Sequence, residues 1–515
     1  LLYIKRTRNT LQSIHFTMFI FVFVLFLLFF FYHFYYKRRN LPPGPVPIPL
    51  LGNLGSLAGE RPRYDMFIDW RKKYGDVFTF WFSELPMVMV CDYNLMYDAF
   101  VKDYPDELAG KFNFEALMKR IRGGINGIIE PSGELWKEQR RFSLQVLRNF
   151  GVGRNLMEER ILDEVVCMIK RLEEDQKSGI CNIISRFDLC VGSIINNLIF
   201  GYRFDGLTEG EFLKIKTLLT DLFIHINTPT NLIVALFYWL RHIPPFYNAA
   251  EKSAYLMEKI FDNLDEQIKD HERKCDLTAE SEPLDFCEAY LRKMERQKNS
   301  DSSKKEFYTR NQLRNICMDL WAAGLETTST TCQFAVIYAL NHPDVYNKLQ
   351  KELDTVVQGD KLVTLNDKLN LPYFNAFINE VQRMLNLGII ASFHKALDDI
   401  VIGGYKIKKG TIVIPQIANV MYDEKIFPDP FTFKPERFID SSGNLKKVEQ
   451  LTPFSIGKRQ CLGESLARME LFLILSNLFK HFDLKPEGEL PPSMLKKWAL
   501  TVQPEPYKIR VYKRT

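Results

Sequence analysis

Phe454-Ser-Ile-Gly457-Lys-Arg459-Gln-Cys461-Leu-Gly463 stands directly before an apolar, helix-forming run and decides how the rest of this 515-residue chain is read. A thiolate that ligates a metal needs its negative charge stabilised away from water. A helix N-terminus does this, because its free N–H groups and partial positive charge lower a thiol pKa. Cys461 is therefore expected below the ordinary thiol range. Gly457 and Gly463 permit a tight turn and a close backbone approach to a flat ligand. Arg459 offers a cation to a ligand carboxylate, and Phe454 screens the sulfur from solvent. A cysteine at a helix start, taken alone, is more often a buried structural thiol. The spacing of its neighbours sets this one apart.

With 46% hydrophobic and 25% charged residues, the chain can bury a large core. Its length alone suggests two or three domains. No Pro/Gly/Ser-rich linker or repeat divides it after residue 60, so residues 51–515 read as one large unit. The net charge of +5 is mild and both signs are interspersed, which argues against a nucleic-acid partner. Nine cysteines contain no C-x-x-C pair, and an odd count without a framework fits a reducing compartment. Phe16 to Tyr36 is almost wholly apolar, long enough as a helix to cross a bilayer core of ~30 Å. No small-x-small cleavage site follows it, so a transmembrane anchor over 16–36 is expected rather than a cleaved signal peptide. Lys37-Arg38-Arg39 then forms a basic stop, and Leu41-Pro-Pro-Gly-Pro-Val-Pro-Ile-Pro-Leu50 a stiff proline-rich hinge, together 37–50. Lys5, Arg6 and Arg8 lie on the other flank, so charge alone does not orient the anchor. Residues 1–17 read as an extension upstream of a start at Met18, which N-terminal sequencing of the native protein checks.

Asp76–Phe82 and Leu85–Val90 are β-type runs, and Val401–Gln416 reads as a hairpin turning near Lys409-Gly410. Most of the remainder has helical period, so the class is mainly α with small β-sheets. The clearest helix runs from about Arg310 to Asn341, with Thr309-x-x-Gln312 as a capping box and Pro343 as its stop. Its middle reads Ala323-Gly324-Leu325-Glu326-Thr327-Thr328, where a glycine and an acid–alcohol pair suit a buried helix interior poorly. A back-bonded threonine beside an exposed glutamate is the plain alternative. Glu380-Val-Gln-Arg383 puts an acid and a base on one helix face, commonly just a surface ion pair. Trp136-Lys-Glu-Gln-Arg140 likewise aligns an indole N–H and a guanidinium, both able to donate to a carboxylate. A core Trp beside a solvated Arg is the common reading of such a pair.

The 454–463 stretch resembles the haem-binding loop of the cytochromes P-450, the haem-thiolate monooxygenases, matching Phe-x-x-Gly-x-Arg-x-Cys-x-Gly at every fixed position. The resemblance extends from the anchor to about Leu484 and is closest to family 2-like microsomal members, notably in Trp136–Phe150 and Asp319–Thr331. It implies the cytochrome P-450 fold behind an N-terminal transmembrane anchor helix. It makes Cys461 the axial ligand of haem b (iron protoporphyrin IX), with Phe454, Gly457 and Gly463 shaping the loop. It implies that Trp136, Arg140, Arg459 and His394 bind propionates, His394 on a looser match because the preceding segment lacks a proline often found there. Lys111 is left out of that set. Gly324 and Thr327 would locally open the long helix, Thr327 hydrogen-bonding dioxygen or a water, and Glu326 would relay protons inward. Glu380, Arg383 and Arg437 would form a structural lock. Trp321 and Leu325 are expected to narrow the cavity, and Leu232–Leu240 to line a substrate channel near lipid.

The chain has no flavin or nicotinamide fingerprint, so the resemblance implies NADPH used indirectly through an NADPH-cytochrome reductase, with cytochrome b5 as a further partner. Lys137, Arg141, Lys434 and Lys458 would steer an acidic donor surface. The implied reaction inserts one atom of O2 into an apolar small molecule, a xenobiotic, fatty acid or steroid, at the endoplasmic reticulum membrane with the catalytic domain cytoplasmic. A haem-thiolate isomerase or dehydratase, or a non-catalytic haem sensor, are the alternatives. Relatives of the first kind often lose the acid–alcohol pair that this chain keeps.

Overall fold

The computed structural model describes residues 2–57, 64–151, 155–298, 305–388, 393–497 and 501–514. The helices that matter below are α1 (Leu2–Phe34), α2 (Gly133–Asn149), α3 (Ile183–Phe200), α4 (Glu209–Ile226), α5 (Pro229–Leu236), α6 (Phe246–Lys274), α7 (Arg310–Asn341), α8 (Pro343–Val356), α9 (Pro372–Leu385) and α10 (Glu464–His481). The apolar stretch within His15–Arg38 has a mean hydropathy of 2.4 and its 18-residue window is exposed, as an anchor requires, while His33 near its end is buried. Helical backbone runs unbroken from Leu2 to Phe34, so residues 2–17 and the expected anchor up to Phe34 form one helix.

The proline-rich segment does not stand free as a spacer. Thr79 of β1 donates its N–H to the Pro43 carbonyl at 2.8 Å and its hydroxyl to that of Pro42 at 2.8 Å. Lys37 reaches back to Glu84 at 2.6 Å and lies over the Trp81 ring, while His33 meets the Pro47 carbonyl at 3.0 Å. Prolines supply carbonyls without competing N–H donors, so the segment docks as an acceptor strip along an open strand edge.

β1 (Val77–Phe82) pairs antiparallel with β2 (Leu85–Val90) around the expected Ser83-Glu84 turn. β3 (Gly110–Lys111), β4 (His394–Lys395) and β7 (Ile412–Pro415) complete a sheet of order β1-β2-β7-β4-β3, in which β2 and β7 run parallel. That register sets His394 opposite both Lys111 and Val413. The expected 401–416 hairpin needs correcting. β5 (Ile400–Ile402) turns into β6 (Tyr405–Ile407) at Gly403-Gly404, whose φ values of 56° and 82° suit a two-residue hairpin turn. The turn at Lys409-Gly410 instead carries the chain out of that ribbon and into β7. β8 (Phe482–Pro486) pairs with β11 (Ile509–Lys513), and β9 (Lys496–Lys497) with β10 (Gln503–Pro504).

α7 keeps its expected bounds and crosses the middle of the domain, with Thr309 accepting from the Gln312 N–H at 3.1 Å. The capping box is only half made. The Gln312 side chain turns away and holds both backbone groups of Gly127, at 3.0 and 2.6 Å. The helix is also unbroken at Gly324, and no local opening occurs there. A Cβ on Gly324 would lie 2.5 Å from Cδ1 of Ile195, so the glycine lets α3 and α7 approach closely. Gly324→Val is expected to cost about 1–3 kcal/mol by overpacking. It is read as a fall in the denaturation midpoint, and an unchanged midpoint would remove the Ile195 contact as the reason. Trp321 and Leu325 face the packed side of α7. They lie about half a turn from Ala323 and Thr327 on the helix, both are buried, and Trp321 packs on Phe212 of α4.

Candidate active site

The Cys461 loop is shaped by backbone. Its N–H donates to the Phe454 carbonyl at 3.0 Å, and the Gln460 N–H to that of Gly457 at 3.0 Å. Gly457 has φ 77°, and any Cβ there would lie 2.6 Å from the Phe100 carbonyl oxygen, so only glycine fits. Gly463 has an ordinary negative φ, and no protein atom lies within 4 Å of where its Cβ would be. Arg468 of α10 covers the Phe454 ring. Among nine cysteines, none in a disulfide, Cys461 alone is exposed.

The thiol is not lowered as expected. The surrounding protein pushes it up, and the Glu464 carboxylate adds to the rise. The N–H groups of Gly463 and Glu464 at the start of α10, together with Arg140, pull it back down without prevailing. The helix terminus acts as the sequence predicts, and desolvation exceeds it.

Around this loop the predicted anion-binding side chains converge. Arg140 of α2 donates to the Gln460 carbonyl at 2.6 Å. Arg459 sits over the Trp136 ring at 3.9 Å and donates to the carbonyls of Ala109 (2.8 Å) and Pro131 (2.6 Å). His394 holds the Leu108 carbonyl through Nδ1 at 2.7 Å, and its ring meets Phe100 edge-on. Burial, the largest cause, drives His394 down to about 4 and Arg459 to about 9, with further lowering by neighbouring cations. Burial likewise lowers Arg140 and Lys111. Lys111, which sequence reasoning sets aside, faces His394 across the β3–β4 pairing and belongs to this cluster.

These residues fit the expected haem. Several cations gathered in a low-dielectric setting call for anionic partners, and Nε2 of His394 is buried without a hydrogen-bond partner. The two carboxylates of a haem would satisfy that demand.

Segment 127–131 ties this cluster to α7. The Ile129 N–H donates to Asp319 Oδ2 at 3.1 Å, while its carbonyl accepts from Arg459 at 3.4 Å. Asp319 also takes Arg122 at 2.6 Å and the Ile128 N–H at 2.7 Å. Two turns further along α7, Thr327 donates its hydroxyl to the Ala323 carbonyl at 2.7 Å, the back-bonded alternative. Glu326 is not a free surface acid. It binds Lys216 of α4 at 2.8 Å and accepts from Gln503 of β10.

Glu380 and Arg383 are fully buried and paired through two bonds of 2.7 and 2.8 Å, with Arg437 on the same carboxylate at 3.0 Å. Lys137, Arg141 and Lys458 each pair with an acid, Glu134, Glu138 and Asp106. Lys458 and Arg468 border a hollow of about 520 Å³ beside the Cys461 loop, walled by Tyr93, Tyr97 and Phe454.

The family model for cytochrome P450 matches residues 42–511. Cytochrome P450 2C28 of Mesocricetus auratus is 36% identical over 454 residues, 87% of this chain and 89% of that protein. Cytochrome P450 2C3 of Oryctolagus cuniculus is 36% identical over 478 residues, 90% of this chain and 92% of that protein. Human cytochrome P450 2C8 is 35% identical over 459 residues, 88% and 90% of the two chains.

Proposed function

This chain belongs to the cytochrome P450 family, and from that premise we propose that it oxidises apolar small molecules at the endoplasmic reticulum membrane with electrons from NADPH, delivered by a separate reductase. Membership makes it a haem-thiolate monooxygenase that uses O2, an apolar substrate and an external electron donor. The haem, when bound, supplies dioxygen activation and oxygen-atom insertion, and the thiolate ligand favours O–O cleavage. Cys461 is the ligand we assign. Trp136, Arg140, Arg459 and His394 would hold the carboxylates of the haem. Phe454, its ring covered by Arg468, accepts the Cys461 N–H through its carbonyl and helps set the loop. Thr327 holds or donates a proton once its hydroxyl leaves the Ala323 carbonyl, and Glu326 relays protons to it.

The observation that carries this reading is the Glu326–Thr327 pair, kept on the same helix whose Asp319 is wired to the anion-binding cluster through Ile129. Isomerase-type and sensor readings give that pair no task. The exposed Trp239, within the apolar 232–240 segment, and Ile243 just after it support substrate entry from lipid. The walled hollow beside the Cys461 loop, bordered by Lys458, supports docking of an acidic donor there, a reductase or cytochrome b5.

A membrane preparation supplied with reductase and NADPH, screened against fatty acids, steroids and drug-like amines, tests the proposal. Turnover of at least one class is expected, and none with any of them would overturn it. Thr327→Val is expected to lower product formed per NADPH by up to roughly a hundredfold, the low end of what a positioned proton donor contributes. Peroxide would account for the lost electrons. Unchanged coupling would remove Thr327 from the proton path.

A further inference from the structure

His271 stands in the last turn of α6 with an oxygen against each ring nitrogen. Nδ1 meets the Gln267 carbonyl at 2.9 Å, and Nε2 meets Oδ2 of Asp285 at 2.9 Å. A neutral imidazole has one N–H, so one of these oxygens would face a lone pair. With two N–H groups the ring satisfies both. Its place at a helix C-terminus favours a cation as well.

Asp285 is fixed from its other side. It precedes the helix Phe286–Lys298, and its Oδ1 caps the Glu288 N–H at 2.9 Å, a position that favours a charged carboxylate. Gly201 ends α3 with φ 73°, and a Cβ there would lie 2.8 Å from Oδ2 of Asp285. The Phe200 ring lies 5.8 Å from the imidazole. Three chain ends thus meet at one ion pair. The two side chains are only 13% and 6% exposed, so water screens the pair weakly.

The 275–285 connection runs between the two residues. Arg292 donates to its Ala279 and Ser281 carbonyls, and Glu288 accepts from the Leu284 N–H at 2.8 Å. The charged groups facing His271 are Asp285 and Glu288, the latter paired with Arg292. Glu211 of α4, one turn away, accepts from Gln267 and Tyr202, and Glu272 pairs with Arg310 of α7. The thiols of Cys275, Cys287 and Cys317 stay neutral, each pushed up mainly by burial. Burial works against charge on His271, but Asp285, the Gln267 carbonyl and Glu288 outweigh it and hold the imidazole above its ordinary value.

We propose that His271 and Asp285 form a proton-controlled clasp that ties the C-terminal end of α6 to α3 and to the 275–285 connection, and that loosens as pH rises. Protonation closes the clasp, so the closed ring binds its proton more tightly than the open one. The clasp is complete below the ordinary imidazole value of about 6.5 and is lost as pH rises through the higher closed-state value. α6 begins at Phe246, just after the exposed Trp239 and Ile243, and packs on α4, α5 and α7. How firmly its far end is held is then set by pH near neutrality.

Hydrogen exchange read by mass spectrometry on full-length, haem-loaded protein tests this in wild type, His271→Gln and Asp285→Asn. Protection over 272–288, corrected for the intrinsic pH dependence of exchange, is expected to fall in wild type between about pH 6 and about pH 9. In both variants it is expected to be roughly tenfold lower at the acid end, the worth of a hydrogen bond between charged groups, and nearly flat with pH. Asparagine still caps the Glu288 N–H, so a loss in Asp285→Asn reports the ion pair and not the helix start. If His271→Gln fails to load haem, Asp285→Asn decides alone. Wild-type protection that does not change with pH, or an Asp285→Asn profile that matches wild type, would overturn the proposal.

Discussion

Replacing Cys461 by Ser is expected to abolish the thiolate Soret signature of the reduced carbonyl complex and to reduce oxygen insertion below detection. The loop leaves little room for a substitute. The Phe454 carbonyl, Gly457 and the Gly463 and Glu464 N–H groups fix where the side-chain atom at 461 lies. A serine oxygen placed there is a poor anion and lacks the electron donation that favours O–O cleavage. Cys461→His would supply a ligand whose electronic character suits reversible binding instead. Cys275→Ser, at a half-buried thiol far along the chain, serves as the control and should leave the spectrum as it is. Spectra of the reduced carbonyl complex before and after substitution settle the matter. An unchanged band in Cys461→Ser would refute the assignment.

Removing Arg383 is expected to prevent accumulation of folded holoprotein. Its guanidinium is fully buried and satisfies four groups at once: the Glu380 carboxylate and the carbonyls of Met421 (2.8 Å), Pro430 (2.7 Å) and Thr432 (3.5 Å). Glu380 also takes Arg437 and the Lys434 N–H at 2.8 Å. Arg383→Met strips the donors, leaves the Met421 and Pro430 carbonyls short of partners, and leaves Glu380 with Arg437 and the Lys434 N–H alone. Breaking a buried pair in this way costs about 3–5 kcal/mol, a large share of a stability of roughly 5–15 kcal/mol. Lysine should not rescue it, since one ammonium cannot reproduce the planar fork. Glu380→Gln should cost nearly as much, and the double variant less than the two single costs together. The ratio of haem-loaded to total protein, with the denaturant midpoint of what folds, measures the effect. Wild-type loading in Arg383→Met would show that this pair is dispensable.

Much of the fold was legible because its signals are local. The bounds of α7 follow from Thr309, the apolar period and Pro343. The β1–β2 ribbon follows from alternation around Ser83-Glu84. The Cys461 loop and the Glu380–Arg383 spacing were readable as motifs, since neighbours along the chain supply their geometry. Other readings failed where distant residues decide. Gly403-Gly404 outcompeted Lys409-Gly410 as the hairpin turn because β7 pairs with β2 and β4 rather than with β5. Gly324 looked like an opening in α7 until Ile195 on α3 explained it. Lys111 could not be placed in the propionate set from sequence, and it is the β3–β4 register that brings it to His394.

The thiol and the acid mark the same boundary. A cysteine three residues ahead of a helix start, with Arg459 and two glycines at fixed spacing, is a local arrangement, and sequence alone singled it out as the candidate ligand. How readily that thiol ionises depends on everything packed around it. There tertiary structure reversed the expectation, because desolvation by the folded shell outweighs the few N–H groups at the helix end. Glu326 was likewise legible as half of an acid–alcohol pair. Its partner Lys216, 110 positions upstream and itself 3.5 Å from Asp188, meets it only when α3, α4 and α7 pack together. Spacing along a chain determines which groups can act, and the dielectric and charges assembled by packing determine in which protonation state they do so.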